Sequence, residues 1–207
     1  MAVIHKPGTR QFSDIDALKK SKAPPNWQDL LYKETCKIGD DRIRKLVEVG
    51  LEKAPGYFWY VPASLTGKYH PDFSQGEGGL IRHIKAVCYF VDDFCNNIDY
   101  FGQKKNFDKI YAAAILHDLF KYGEQMERQE YNSHGSIAAL KIHEFGKGIV
   151  DDDVLLDICN NVMHHLGKWE VYLDIPWRDP IKRYSWSILQ ISDIVSSRKP
   201  IDLKGLW

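Results

Sequence analysis

The chain has 207 residues, 44% of them hydrophobic and 27% charged, with 28 Lys and Arg set against 28 Asp and Glu for a formal net charge of zero. That is the balance of an ordinary globular protein with room for one sizeable domain or two small ones. It excludes a long-range field drawing in nucleic acid or an acidic membrane, though not a local basic patch, and no apolar run approaches the ~20 residues of a membrane span.

In chain order, residues 1–38 read as a mostly irregular extension, broken by Pro7, Gly8, Pro24 and Pro25, with one short helical stretch, SDIDALKKSK, capped by Ser13. Residues 39–207 read as the domain proper. DDRIRKLVEVGLEKA sets Ile43, Leu46, Val47 and Leu51 on one helical face and stops at Pro55-Gly56. GYFWYVPASLTGKYHPDFSQGEGG follows, a long irregular stretch rich in aromatics and turn residues, of the kind that is often functional. LIRHIKAVCYFVDDFCNNI is a strong helix, and NFDKIYAAAILHDLFKYG is the next, with Asn106 as a cap. SHGSIAALKIHEFG starts at a Ser cap and stops at Gly146, and DDDVLLDICNNVMHHL carries its acidic residues in the first turn, which suits the helix dipole. A polar, aromatic loop, GKWEVYLDIPWRDP, leads to a last helix, KRYSWSILQISDIVSSR. With no strand series, the expected class is all-α.

The four cysteines, Cys36, Cys88, Cys95 and Cys159, include no C-x-x-C pair. Cys88 and Cys95 share an expected helix, where seven residues rise ~10 Å, too far for a disulfide. Together with an N-terminus that lacks the apolar core of a signal peptide, this reads as reduced thiols in a cytoplasmic protein.

One stretch resists the ordinary reading. AAAILHDLFKYG should be a fully buried helix, yet it places Asp118 in its interior. An uncompensated buried carboxylate costs several kcal/mol. A metal ion would neutralise it and give the adjacent imidazole a lone-pair role. A His-Asp dipeptide alone carries no weight, so partners are needed, and four other expected helices carry them. His83 follows GEGGLIR, His134 begins a helix in SHGSIAAL, His164 and His165 end LLDICNNVMHH, and Asp193 sits inside the apolar ILQISDIVSS. Singly, each has an ordinary explanation as a core residue, a cap or an ion-pair partner. Jointly, five successive helices would each need a separate one.

The ordered set H…HD…H…HH…D resembles that of the HD-domain metal-dependent phosphohydrolase superfamily. The matching stretches are GGLIRH, AAILHDLFKYG, SHG, HHLGKW and ISDIVSSR, spanning about residues 62–198. Within the superfamily, VPASLTGKYHPDFSQGEGGLIRH looks like the lead-in of small phage HD proteins and of the HD domain of bacterial 3′→5′ exoribonucleases. The resemblance implies an HD-type helical bundle. It implies that His83, His117, Asp118 and Asp193 hold one divalent metal ion. It implies that His134 and His164 add a second, with His165 as the rival of His164 or a third ligand, and Asp118 bridging both. Adjacent helical residues point ~100° apart, so one of the His164-His165 pair is expected to face the site. A mixed nitrogen and oxygen ligand set suits Mn or Fe, with Mg, Co, Ni and Zn open.

The implied chemistry is hydrolysis of a phosphate ester by a metal-activated water, on a phosphorylated small molecule or short nucleic acid. Asp118 and Lys121 are its expected catalytic residues. Lys121, close to Asp118, either meets a phosphate oxygen or makes an ordinary ion pair with Asp118 or Glu124. Lys68, Tyr69 and His70 before the His83 helix, and Lys168, Trp169, Tyr172, Trp177 and Arg178 after His165, offer cations beside aromatic faces, as a nucleotide would require. The competing expectation is that these rings close over the core. Two further functions share the motif: a mixed-valent di-iron oxygenase of the same superfamily, and a non-catalytic HD binding module. The sequence gives no oligomeric state.

Overall fold

A computed structural model of the chain describes residues 15–67, 70–97, 100–126, 132–178, 187–200 and 203. The Ser13 cap, Lys68 and Tyr69 lie outside them. Secondary structure is all helical. The one strand-like feature among the described residues is a bridge between Lys147 and Val150.

Helix formation follows the apolar periodicity. Three short helices come first: α1 (Ile15–Lys19), α2 (Trp27–Leu30) and α3 (Tyr32–Thr35). Helix α4 (Asp41–Glu52) begins where the Asp40 carboxylate accepts from the amides of Arg42 and Ile43 at 2.8 and 3.1 Å, a cap worth ~1 kcal/mol. It buries Ile43, Leu46, Val47 and Leu51, the face expected from spacing. Leu18, Leu31 and Ile38 belong to the same hydrophobic core, so residues 15–38 pack with the domain.

Helix α5 (Gly79–Asp92) continues through a π-helical turn over Asp93–Asn97. Helix α6 (Phe107–Leu116) is the centre of the molecule. Every residue from Ile110 to Leu116 is buried, and it packs against α4, α5, α8 (Asp152–Met163) and α9 (Ile188–Ser196). Its Ala112-Ala113-Ala114 run is what lets several helices approach one axis, since small side chains set small interaxial distances. Helix α7 (His134–Gly146) packs mainly on α8, and α5 on α9. Asn106 and Ser133 stand at the N-cap positions of α6 and α7, but neither side chain makes a capping bond.

Two departures from the expected elements bear on the site. The helix expected to run through Gly123 ends at Leu116, and residues 117–126 continue as consecutive turns. The cause is visible in the hydrogen bonds. The Ala114 carbonyl accepts from the His117 ring at 2.8 Å. The amides of Leu119, Lys121 and Gly123 then bond three residues back rather than four, and positive φ at Gly123 and Met126 turns the chain away. The aromatic lead-in, in turn, is largely core: Tyr57, Phe58 and Trp59 form a buried 3-10 turn. The Tyr57 hydroxyl donates to the Gly123 carbonyl at 2.5 Å, and that of Tyr122 to the Pro62 carbonyl at 3.2 Å. These rings brace the turns that carry Asp118.

Candidate metal centre

Five segments deliver polar side chains to one buried point. His83 comes from the second turn of α5, His117 and Asp118 from the end of α6, His134 from the first residue of α7, His165 from just beyond α8, and Asp193 from α9. His83, His117, Asp118 and His134 are fully buried and His165 almost so. Around the Asp118 carboxylate, Oδ2 lies 3.3 Å from His117 Nε2, 3.7 Å from His83 Nε2 and 2.8 Å from Lys121 Nζ. Oδ1 lies 3.0 Å from His134 Nε2 and 3.7 Å from His165 Nε2. Asp193 Oδ1 is 3.1 Å from His83 Nε2.

The carboxylate thus has one oxygen toward each of two groups of donors. Two compact ligand sets result, His83 with His117 and Asp193, and His117 with Asp118 and His165, each with its donor atoms within 4.8 Å of one another. Of the adjacent pair, His165 faces the cluster. His164 turns the other way and places Nδ1 2.9 Å from the Tyr172 hydroxyl. The 100° step between neighbouring helical residues required such a division, and its direction is set by the fold.

The imidazoles are oriented for ligation. A carbonyl oxygen can only accept, so His117 Nδ1 carries the proton it donates to Ala114, and His165 Nδ1 the one it donates to Val162 at 2.6 Å. In its neutral form each ring therefore presents its Nε2 lone pair inward, the arrangement metal-binding histidines require. His83 Nδ1 lies 3.5 Å from Ser196 Oγ, which itself donates to the Asp193 carbonyl. His83 Nε2, His117 Nε2 and Asp118 Oδ1 are buried with no properly aligned hydrogen-bond partner among the described residues. Buried polar atoms are rarely left so, and a divalent cation is the group that would satisfy all three. The cluster is consistent with a metal site.

Its electrostatics point the same way. Burial opposes charge on Asp118, yet the His117 imidazole and the Lys121 ammonium outweigh it and hold the carboxyl well below the usual carboxylate range. Asp193 is likewise lowered against burial, chiefly by His83. Burial opposes protonation of His117, but Asp118 overrides it and the pKa is raised, whereas burial prevails at His165 and lowers it.

The expected substrate residues divide. His70 packs its ring edge against that of His83, 5.3 Å between centroids, and its Nδ1 is buried without a partner among the described residues. Burial, then the nearby His83 and Lys121, push its pKa down to about 3. Lys168 lies over the exposed Trp169 ring at 4.8 Å, and Arg178 over Tyr172 at 4.8 Å. Trp177 stacks on His143 of α7. The loop after His165 therefore runs along the α7–α8 side.

Sequence reasoning passed over two residues that support the centre, Ser196 and Glu170. Ser196 stands three residues after Asp193, a spacing that places both on one helix face, so it was open to detection. Glu170 had no local signal.

The comparisons agree with this arrangement. A protein-family model described as HD domain matches residues 80–197, more than half of the 207-residue chain. No curated protein and no solved structure matches it significantly. The match begins one residue into α5 and ends just past α9, enclosing every side chain of the cluster, and the chain belongs to the HD-domain family.

Proposed function

We propose that the protein is a metal-dependent phosphohydrolase acting on a phosphate ester of a nucleotide or short nucleic acid. The observation that carries the reading is the convergence of four imidazoles and Asp193 around the Asp118 carboxylate, with His83 Nε2, His117 Nε2 and Asp118 Oδ1 buried and without a hydrogen-bond partner among the described residues. His83, His117, Asp118 and Asp193 would hold one divalent ion, and Asp118, His134 and His165 the other, Mn or Fe suiting the nitrogen–oxygen set. Two such ions supply an activated water near neutral pH and neutralise charge on a phosphoryl oxygen.

The chain's own groups do the rest. The Asp118 carboxylate stays ionised because the His117 ring and then Lys121 Nζ, 2.8 Å away, outweigh its burial, and each of its oxygens faces one donor group. Lys121 is placed to meet a phosphoryl oxygen at the same point. His70, beside His83, contributes a ring nitrogen to the substrate. Lys68 and Tyr69, two and one residues before it, extend the same lead-in. Lys168, Trp169 and Arg178, on the loop after His165, would meet a base or sugar of a longer substrate. The family membership supports a phosphorylated substrate. No helix among the described residues is long and apolar enough to cross a membrane.

The test is turnover of bis(p-nitrophenyl) phosphate by protein reconstituted with Mn. Cleavage that is lost, by about 10³-fold or more, in both His117→Ala and Asp118→Ala supports the assignment. Oxygen consumption by the iron-loaded protein with no diester cleavage would instead make it an oxygenase. Metal uptake without either activity would make it a binding module.

A further inference from the structure

Helix α7 has to hold His134, its first residue, against His165 from a different segment. Their Nε2 atoms are 3.0 Å apart. Ser133, at the N-cap position of α7, makes no side-chain cap. The missing acceptor comes from the loop after His165. Glu170 Oε1 accepts from the Ser136 amide at 3.1 Å and from its hydroxyl at 2.9 Å. One residue on, the Val171 amide donates to the Asn132 carbonyl at 2.9 Å, two residues before His134. Both ends of the α7 start are thus tied to the stretch that follows His165.

Packing closes the same joint. A Cβ on Gly135 would stand 2.8 Å from Glu170 Oε2, 3.0 Å from the Met163 carbonyl and 3.1 Å from the Val162 carbonyl. An alanine there would require the Glu170 carboxylate to move and both carbonyls to give by a few tenths of an ångström. The Val162 carbonyl is also the acceptor that fixes the His165 ring. One short region, Gly135 with Glu170 and Val162, therefore sets the positions of both imidazoles. Glu170 is buried, and its Oε2 has no hydrogen-bond partner among the described residues. A long carboxylate side chain is ordinarily spent there only where its geometry matters.

We infer that Glu170 is a positioning residue for the His134–His165 half of the centre. It sets the affinity of the second divalent ion and leaves that of the first unchanged. The inference rests on the dinuclear reading above. It makes no claim that Glu170 touches the ion or substrate.

The experiment is Mn titration of the metal-stripped full chain by calorimetry, with metal content measured after dialysis. The wild-type protein is expected to take up two ions. Glu170→Ala, with unchanged far-UV circular dichroism, should keep the tighter ion and bind the second roughly 10- to 100-fold more weakly, the usual effect of removing the group that orients a ligand. Glu170→Gln retains the acceptor oxygen and should restore the second ion. Loss of a merely structural carboxylate would shift both ions or neither. If Glu170→Ala does not fold, Ser136→Ala carries the test, since it deletes one of the two donors and should weaken the second ion about tenfold. Wild type and variants each holding two ions with unchanged affinities would overturn the inference alone. A wild-type chain that holds one ion or none would remove the dinuclear reading, and this inference with it.

Discussion

At the scale of single residues, the centre depends on which way each ring points. His165 and His164 are neighbours with opposite surroundings, one against Asp118 and the other against Tyr172. His165→Ala is expected to lose metal and reduce diester cleavage by more than 10²-fold. His164→Ala should keep its metal and lose about 0.5–1.5 kcal/mol of stability, because it removes a part-buried hydrogen bond with the Tyr172 hydroxyl. Metal analysis beside a urea melt separates the two effects, and equal metal loss in both variants would contradict the assignment. The sequence identified the pair but could not choose between its members. The choice depends on the last turn of α8, where the Val162 carbonyl takes the His165 ring. That bond forms only after the chain has turned, so no pattern of residue types encodes it.

At the scale of elements, the sequence was a good guide to the helices that bury one face and a poorer one where side chains replace backbone bonding. The apolar face of α4 and the buried run of α6 follow directly from spacing and composition. The end of α6 does not, because the His117 ring takes the Ala114 carbonyl. The start of α7 does not either, because its cap arrives from Glu170, 34 residues beyond the amide it bonds. That long-range cap has a measurable signature. Burial, opposed by the Ser136 bonds, raises the Glu170 pKa from 4.5 to about 7. The folded chain thus binds this proton more tightly than the unfolded one. Its contribution is complete below pH 4.5 and is lost as pH rises through 7, by up to about 3 kcal/mol. Urea midpoints at pH 5 and pH 8 should therefore differ less for Glu170→Gln than for wild type. Parallel pH profiles would show that the carboxyl titrates alike in both states.

At the scale of the whole molecule, the centre joins segments from both ends of the family-matched region, His83 to Asp193. Its acidic members give the opposite pH slope to that of Glu170. Asp118 and Asp193 are lowered in the fold, so their contribution is present above the unfolded value of 3.8 and is lost as pH falls below it. An ion bound only by the folded state adds to stability by mass action, about 2.7 kcal/mol at a hundredfold excess over Kd. For a chain of this size that corresponds to a rise in Tm of roughly 5–10 °C, reversed by chelator. A melting temperature indifferent to both Mn and chelator would argue that no ion links these segments.

The burial of Leu31 and Ile38, both fully enclosed although they lie far ahead of residue 80, has a practical corollary. Expressing only the stretch 80–197 would strip away α4 and the short helices before it, leaving the flank of α6 bare to solvent. Contiguous apolar surface of that kind invites self-association, so such a trimmed protein is expected to elute as aggregate where the full chain does not.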